Sequence, residues 1–373
     1  MNNFKETLTK WAANEIAPHY EQWEKEGIVP RSVWLKAGEQ GILCSTQDEK
    51  YGGLGVDFNY SSVLYHELFR AGFASLGIGF AVHSDLVGNY IGHLGTEEQK
   101  LRWLPSMAKG ELIGAIAMTE PGTGSDLASI QTKAVLKDGK WILNGQKTFI
   151  SNGLNADLIV VVARTDTIAD KAHAGISLFV VERTSKGFSR GKKLNKMGLH
   201  AQDTAELIFE DCEIPEANLL GKRGEGFLYL MKNLGIERLG IAVMSLAQAR
   251  GAFELTLQYI KERKAFGKTI ASFQNTRFKM AEMLTELDVG EAFIQHCIQM
   301  HCQKKDITIA ASQAKLWASE KGQQIIDTCL QLHGGYGYMD EYMISKFFRD
   351  SRVQRIYGGT SEIMKEVISK ELI

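Results

Sequence analysis

Apolar positions recur along this chain with two different periods. Phe4, Leu8, Trp11, Ala12 and Ile16 follow one another at steps of four, three, one and four, which is one face of an amphipathic helix. Ala17-Pro18 predicts its end, because a proline biases the residue before it away from the helical region. Helical character continues to about residue 110. Within it, Thr96 and Gln99 of GTEEQKLRWL predict a capping box, in which each side chain reaches a backbone N–H left free at the helix start.

Between about residues 112 and 222 the helical period fades and β-rich runs replace it: TKAVL (132–136), WILN (141–144), LIVVVAR (158–164), ISLFVVE (176–182) and AELIFE (205–210). Asp138-Gly139, Asn144-Gly145 and Asn152-Gly153 predict tight turns, since these dipeptides tolerate positive φ. The pattern is that of a β domain rather than a βαβ array. From about Gly226 the helical period returns, in stretches such as FLYLMKNLGIERLGIAVMSLAQARGAFELTLQYIKERK. The order predicts an α+β chain with an N-terminal helical domain over 1–111, a middle β domain over 112–225 and a C-terminal helical domain over 226–373.

Composition sharpens this picture. A length of 373 residues with 44% hydrophobic side chains suffices for two or three packed domains and excludes a disordered or collagen-like chain. With 43 basic against 44 acidic residues the net charge is −1, so no bulk attraction draws the chain to nucleic acid or to an anionic membrane. The longest apolar runs, such as Leu158 to Ala163 and Leu76 to Val82, are six or seven residues, against roughly 18 for a membrane span. MNNFKETLTKWAANEI resembles neither a secretory signal nor an Arg-rich transit peptide, and a cytoplasmic location is expected. Cys44, Cys212, Cys297, Cys302 and Cys329 are scattered and lack a CxxC pair, which argues for free thiols rather than a disulfide framework or a structural zinc; no metal is expected. Glycine is in excess, at 37 residues, and proline scarce, at 5, against about 7% and 5% in ordinary usage, so the glycines are expected to be positional.

Several segments could carry chemistry. Ala117 to Leu127, AMTEPGTGSDL, offers approachable backbone N–H groups and small hydroxyls suited to a polar heterocycle or a phosphate. A plain turn fits this composition too, and the segment is no Rossmann fingerprint, since Gly122-x-Gly124 lacks the third glycine and the βαβ context. In KTFISNG (147–153), Phe149 and Ser151 would project from one face of an extended strand, one to lie on a flat ring and the other to bond its edge, unless the strand is simply half-buried. Leu230, Leu234, Glu237, Ile241 and Met244 fall at steps of four, three, four and three, which sets a carboxylate in an apolar stripe. Burial there raises a carboxyl pKa towards neutrality, the setting of a general base. The alternatives are a helix broken at Gly235, or a Glu237 that merely pairs with Arg238. QLHGGYGYM (331–339) and RIYGGTSEIM (355–364) are further Gly-rich loops, the second with the hydroxyls of Thr360 and Ser361. Arg263 is either a phosphate partner through its planar fork or part of a solvated helical face.

Six segments, AMTEPGTGSDL, WILNGQKTFISNG, KMGLHAQDTAELIFEDCEIP, ERKAFGKTIASFQ, QLHGGYGYM and RIYGGTSEIM, together resemble the acyl-CoA dehydrogenase family in order and approximate spacing. ASEKGQQIIDTCLQLHGGYGYM and VQRIYGGTSEIMKEVISKELI look most like its long-chain branch, and the resemblance covers essentially the whole chain. It implies an N-terminal α-helical domain, a central β-barrel-like domain and a C-terminal four-helix bundle, assembled as a homotetramer with bound FAD. Carried over by motif, Met118, Thr119, Gly124 and Ser125 contact the flavin, with Ser125 also near the substrate, and Phe149, Ile150 and Ser151 pack against the isoalloxazine. Arg263, Gln274 and the loop of Gln331, Leu332, His333, Gly334 and Gly335 reach the FAD of a neighbouring subunit. Thr360, Ser361 and Glu362 sit by the cofactor of their own, while Arg238, Gly358 and Gly359 lie on the substrate side.

Many members place the catalytic glutamate directly after the tyrosine of the IY-x-GT motif, but here that position is Gly358. In the long-chain and isovaleryl branches it is likewise non-acidic and the base comes from the helix that here carries GIERLGIA, where Glu237 matches. The resemblance then implies that Glu237 removes the pro-R α-proton of a fatty acyl-CoA as the β-hydride moves to flavin N5, giving trans-2-enoyl-CoA. The backbone N–H of Gly358 and a ribityl hydroxyl hold the thioester carbonyl, and an electron-transfer flavoprotein accepts the electrons. An isovaleryl-type enzyme, an acyl-CoA oxidase and a dehydrogenase of carrier-protein thioesters share this fold and are compatible with Glu237; the residue argues against a flavin monooxygenase and a non-catalytic flavin scaffold. Chain length is not legible, though Gly235 and Gly240 could widen the pocket.

Overall fold

A computed structural model describes residues 2–166 and 174–373. Helix α1 (Asn2–Trp11) runs on through a π-helical turn at Ala12–Ile16 and stops at Ala17-Pro18, with Leu8, Trp11, Ala12 and Ile16 buried and Phe4 tilted against Tyr60. Next come α2 (Tyr20–Glu26), α3 (Arg31–Glu39), α4 (Phe58–Arg70), α5 (Ala74–Ala81), α6 (Asn89–Leu94) and α7 (Glu97–Ala108). The expected capping box opens α7: Thr96 Oγ1 accepts from the Gln99 N–H and the Gln99 side-chain oxygen accepts from the Thr96 N–H. Between α5 and α6 lies a second π-helical turn, Val82–Gly88. Its wider winding rotates the residues that follow, Tyr90 among them, about the helix axis.

The middle of the chain forms a sheet of β1 (Gly114–Ala117), β2 (Lys133–Lys137), β3 (Lys140–Ser151), β4 (Leu158–Arg164), β5 (Ile176–Glu182), β6 (Phe188–Lys193), β7 (Thr204–Pro215) and β8 (Leu219–Leu220). The order is β6-β7-β3-β2-β4-β5-β8, with β1 parallel to β4 and most neighbours antiparallel. The β-rich runs of the sequence fall in β2, β3, β4, β5 and β7. Asp138-Gly139, at φ +50° and +75°, closes β2 onto β3, and Asn152, at +62°, begins the turn after β3. Asn144-Gly145, expected as a turn, is instead a bulge inside β3. The register against β7 shifts between Leu143 and Gly145, and the Asn144 amide both donates to Asp211 and accepts from its N–H, bridging the irregularity.

Three long helices, α8 (Gly226–Glu262), α9 (Gln274–Cys302) and α10 (Thr308–His333), dominate the C-terminal part, with the shorter α11 (Met343–Ser351) and α12 (Ser361–Leu372) against α10. The cores cross the three parts of the chain. One joins Leu64 and Phe69 of α4 to Leu246, Ile298 and Ile326 of α8 to α10. Another joins Tyr90 and Trp103 to Val160 and Leu178 of the sheet and to Leu230 of α8. The first turns of α8 are therefore held by the sheet and by α6 together. Among the described residues no helix is long and apolar enough to cross a membrane.

Candidate active site

Gly235 does not break α8. The helix continues past it, so the stripe forms: Leu230, Ile241 and Met244 are buried, Leu234 is half-buried, and Glu237 among them is 8% exposed. Burial pushes the Glu237 carboxyl up to about 7, opposed by a hydrogen bond from Tyr90 and by the charge of Arg238. The Tyr90 hydroxyl donates to Glu237 Oε1 at 3.2 Å. Arg238 is itself buried, and its hydrogen bond goes to Ser312 Oγ, at 3.1 Å, rather than to Glu237; its Nε has no partner. The pairing of Glu237 with Arg238 that the sequence left open is thus not the arrangement found.

The loop Gly358-Gly359 has φ +61° and +92°, and a Cβ on Gly358 would fall 2.2 Å from Ile241 Cδ1. Ile241 is one helical turn beyond Glu237, so this loop packs within a turn of the Glu237 carboxylate. Lys315, buried on α10, donates to the Gly359 carbonyl at 2.6 Å and fixes the loop; burial first, then the charge of Arg238, lowers its ammonium to about 8. Thr360 Oγ1 caps α12 by accepting from the Ile363 N–H at 3.3 Å. Ser361 is buried with its Oγ unpartnered, and Glu362 is exposed.

On the sheet side, the fully buried Lys147 of β3 donates to the Met118 carbonyl at 2.9 Å and to Glu120 Oε1 at 2.8 Å. Glu120 also accepts the N–H groups of Gln131 and Thr132, and the Thr148 N–H donates to the Thr119 carbonyl. The 118–132 loop is thereby tied to β3, and Met118 and Thr119 are brought beside Phe149. Gly122 and Gly124 face open space, and Ser125 is exposed. Phe149 and Ser151 do not share a face of a regular strand as expected. The β3–β7 register shifts between Lys147 and Ile150, and Phe149 takes φ +60° with 68% exposure, while Ile150 turns into the sheet core and Ser151 is half-buried. A left-handed, exposed phenylalanine is a strained conformation of the kind that collects at ligand sites.

A third group is separate. Arg263, Gln331, Leu332, His333, Gly334 and Gly335 line one cavity of about 690 Å³, which contains none of the other site residues. The Arg263 guanidinium lies over the Tyr336 ring at 5.2 Å, and the buried His333 stacks on Tyr259. Gln274 is exposed at the first residue of α9 and lies outside that lining.

Tyr90, Lys315 and the Lys147–Glu120 pair are the residues that sequence reasoning missed. Lys315 had a signal, since Ala311, Ala314, Lys315 and Ala318 put an ammonium in an apolar stripe as Glu237 is put in its own. Tyr90 had none: it lies 147 residues from Glu237 and just after a π-helical turn that no local pattern marks.

The donor set fits a flavin dinucleotide: unobstructed backbone at Gly122 and Gly124, an exposed ring at Phe149, the orphaned Ser361 Oγ and a cationic cavity at Arg263. Together with a buried carboxylate at Glu237 beside a glycine loop, this is compatible with a flavin-dependent oxidoreductase of α–β–α build. Family models described as the acyl-CoA dehydrogenase N-terminal, middle and C-terminal domains match residues 2–111, 115–212 and 224–373. The chain belongs to the acyl-CoA dehydrogenase family, which makes it an oxidoreductase of that type with FAD as cofactor. The mitochondrial long-chain specific acyl-CoA dehydrogenase of Rattus norvegicus is 48% identical over 99% of this chain and 86% of its own length. The mitochondrial isovaleryl-CoA dehydrogenase of Solanum tuberosum is 37% identical over 99% of this chain and 89% of its own. Among solved structures, an acyl-CoA dehydrogenase from Geobacillus kaustophilus has a TM-score of 0.98 and 51% identity, covering 100% of this chain and 97% of that one. An acyl-CoA dehydrogenase complexed with FAD from Bacillus anthracis has a TM-score of 0.93 and 31% identity, over 100% and 66%.

Proposed function

We propose that this chain oxidises medium- to long-chain fatty acyl-CoA thioesters to trans-2-enoyl-CoA, with Glu237 as the base. The observation that carries this is a buried carboxylate one helical turn from Ile241, against which the Gly358 loop packs. Met118, Thr119, Gly124, Ser125, Phe149, Ile150 and Ser151 would hold the FAD, with Thr360, Ser361 and Glu362 beside it, and the cofactor would supply the acceptor for the β-hydride. Glu237 takes the α-proton. In apolar surroundings its charged form is disfavoured, which strengthens the pull on that proton. The Gly358 N–H, on a loop fixed by Lys315, donates to the thioester carbonyl where negative charge develops, and needs no reorganisation to do so. Arg238 adds positive charge beside the base on the substrate side.

The long-chain preference rests on the likeness to the rat enzyme; Gly235 and Gly240 do not widen the pocket as expected, since a Cβ on them would meet Ile307 at 3.3 Å and Tyr65 at 3.4 Å. A branched short-chain substrate is the second candidate, favoured by the likeness to the isovaleryl enzyme. Electrons would pass to an electron-transfer flavoprotein. A homotetramer is supported by the cavity of Arg263 and Gln331 to Gly335, which stands apart from the other cofactor residues and so suits a neighbour's FAD. We also propose divisions after residues 111 and 225, and a cytoplasmic location.

Anaerobic flavin bleaching across straight and branched acyl-CoA thioesters tests the substrate assignment. Bleaching by the long straight chains supports it, and bleaching confined to isovaleryl-CoA replaces it with the second candidate. Rapid peroxide formation in air would identify an oxidase instead.

A further inference from the structure

The Glu237 carboxylate is not free in its apolar setting. Tyr90 is 1% exposed, sits on α6 directly after the π-helical turn, and spends its one hydroxyl hydrogen on Glu237 Oε1 at 3.2 Å. Behind it, the Asn233 side chain acts on both the Tyr90 hydroxyl, whose pKa it lowers, and His93, whose pKa it raises. An amide dipole that lowers the hydroxyl's pKa polarises the O–H towards Glu237. Asn233 and His93 line a cavity of about 1090 Å³, so the chain Glu237, Tyr90, Asn233, His93 runs from the base to that cavity.

We propose that Tyr90 is a positioning residue for the base: by donating its hydroxyl hydrogen to the Glu237 carboxylate it favours the ionised form before substrate arrives, against the burial that opposes it. The inference rests on Glu237 being the base, as proposed above. The titratable and charged groups around Glu237 are Tyr90 from α6, Arg238 from its own helix, His93 behind Asn233, and Lys315 of α10, whose charge acts on Arg238. Of these, Tyr90 alone donates a hydrogen bond to the carboxylate. A hydrogen bond to the charged form favours that form, so removing it leaves burial less opposed and moves the ionisation to higher pH.

The test is Tyr90→Phe, which keeps the buried ring and removes only the hydroxyl. The rate of acyl-CoA-dependent flavin reduction is measured anaerobically on the holoenzyme as a function of pH, beside wild type and Glu237→Gln. The acid limb of the Tyr90→Phe profile should move up by about one pH unit, about tenfold in rate below the limb, and the rate should rejoin wild type above it. An unmoved limb, or a loss equal at every pH, overturns the proposal. If Tyr90→Phe fails to hold FAD, Asn233→Leu decides: a smaller upward shift of the same limb supports the proposal and an unmoved one overturns it. A Glu237→Gln enzyme that still bleaches at the wild-type rate sinks the base assignment itself. A silent Glu237→Gln with an unmoved Tyr90→Phe limb sinks only the role of Tyr90.

Discussion

Gly358 packs directly on Ile241: at φ +61°, any Cβ at position 358 would fall 2.2 Å from Ile241 Cδ1. The position from which many relatives extend their glutamate is here closed twice over, by backbone conformation and by the side chain one turn beyond Glu237. A carboxylate placed at 358 would need a different loop.

Gly358→Ala should therefore cost about 1–2 kcal/mol of stability, through the left-handed backbone and the contact together. Ile241→Val removes Cδ1 and should recover the contact part but not the backbone part. Gly358→Glu in a Glu237→Gln background should fail to restore flavin reduction. Melting temperatures of the single and double variants, and bleaching of the last, check these expectations.

The elevated Glu237 pKa has two consequences of known sign. Proton abstraction needs the carboxylate, so flavin reduction should accelerate as pH rises through about 7 and level off above it. In the folded protein the group keeps its proton to about 7, against an ordinary value of 4.5, so wild-type stability falls as pH rises across that interval. Glu237→Gln lacks this penalty and should be the more stable protein at pH 8, by on the order of 1–3 kcal/mol, with the gap closing towards pH 4. A melting difference independent of pH would contradict the burial of an ionisable Glu237.

Lys147 and Glu120 form a buried ion pair under the 118–132 loop. Lys147→Met leaves Glu120 without its cation and should cost about 3–5 kcal/mol, with loss of FAD from the purified protein. Adding Glu120→Leu removes the stranded charge and should recover part of the stability. Flavin-to-protein absorbance ratios and thermal melts follow both effects.

Lys315→Met takes away the donor to the Gly359 carbonyl and should cost about 1–3 kcal/mol. Because the loop carries the Gly358 N–H, flavin reduction should slow about tenfold while FAD content stays near wild type. Stopped-flow reduction read beside flavin content separates this variant from Lys147→Met, which should lose the cofactor.

The order of helical, β and helical segments was legible because hydrophobic period is a local signal, and so was the carboxylate on the apolar face of α8. What escaped was set by irregular backbone. Asn144-Gly145 carries the composition of a hairpin turn, yet a long partner strand keeps it inside β3 as a bulge. Phe149 left its strand face because the register shifts beside it. Tyr90 reaches Glu237 from α6 just after a π-helical turn, and no pattern of residue types marks that turn. Two of these irregular points, the register shift at Phe149 and the π-helical turn before Tyr90, adjoin the proposed flavin site and Glu237, where geometry departs from what local preference dictates.

The most direct test of Glu237 as the base is anaerobic mixing of FAD-loaded Glu237→Gln with a long-chain acyl-CoA while flavin absorbance is followed. The variant should keep its FAD and bind the thioester, seen as a perturbed flavin spectrum, yet not bleach on the timescale of wild type. Bleaching at the wild-type rate would contradict the account and move the base elsewhere in the site.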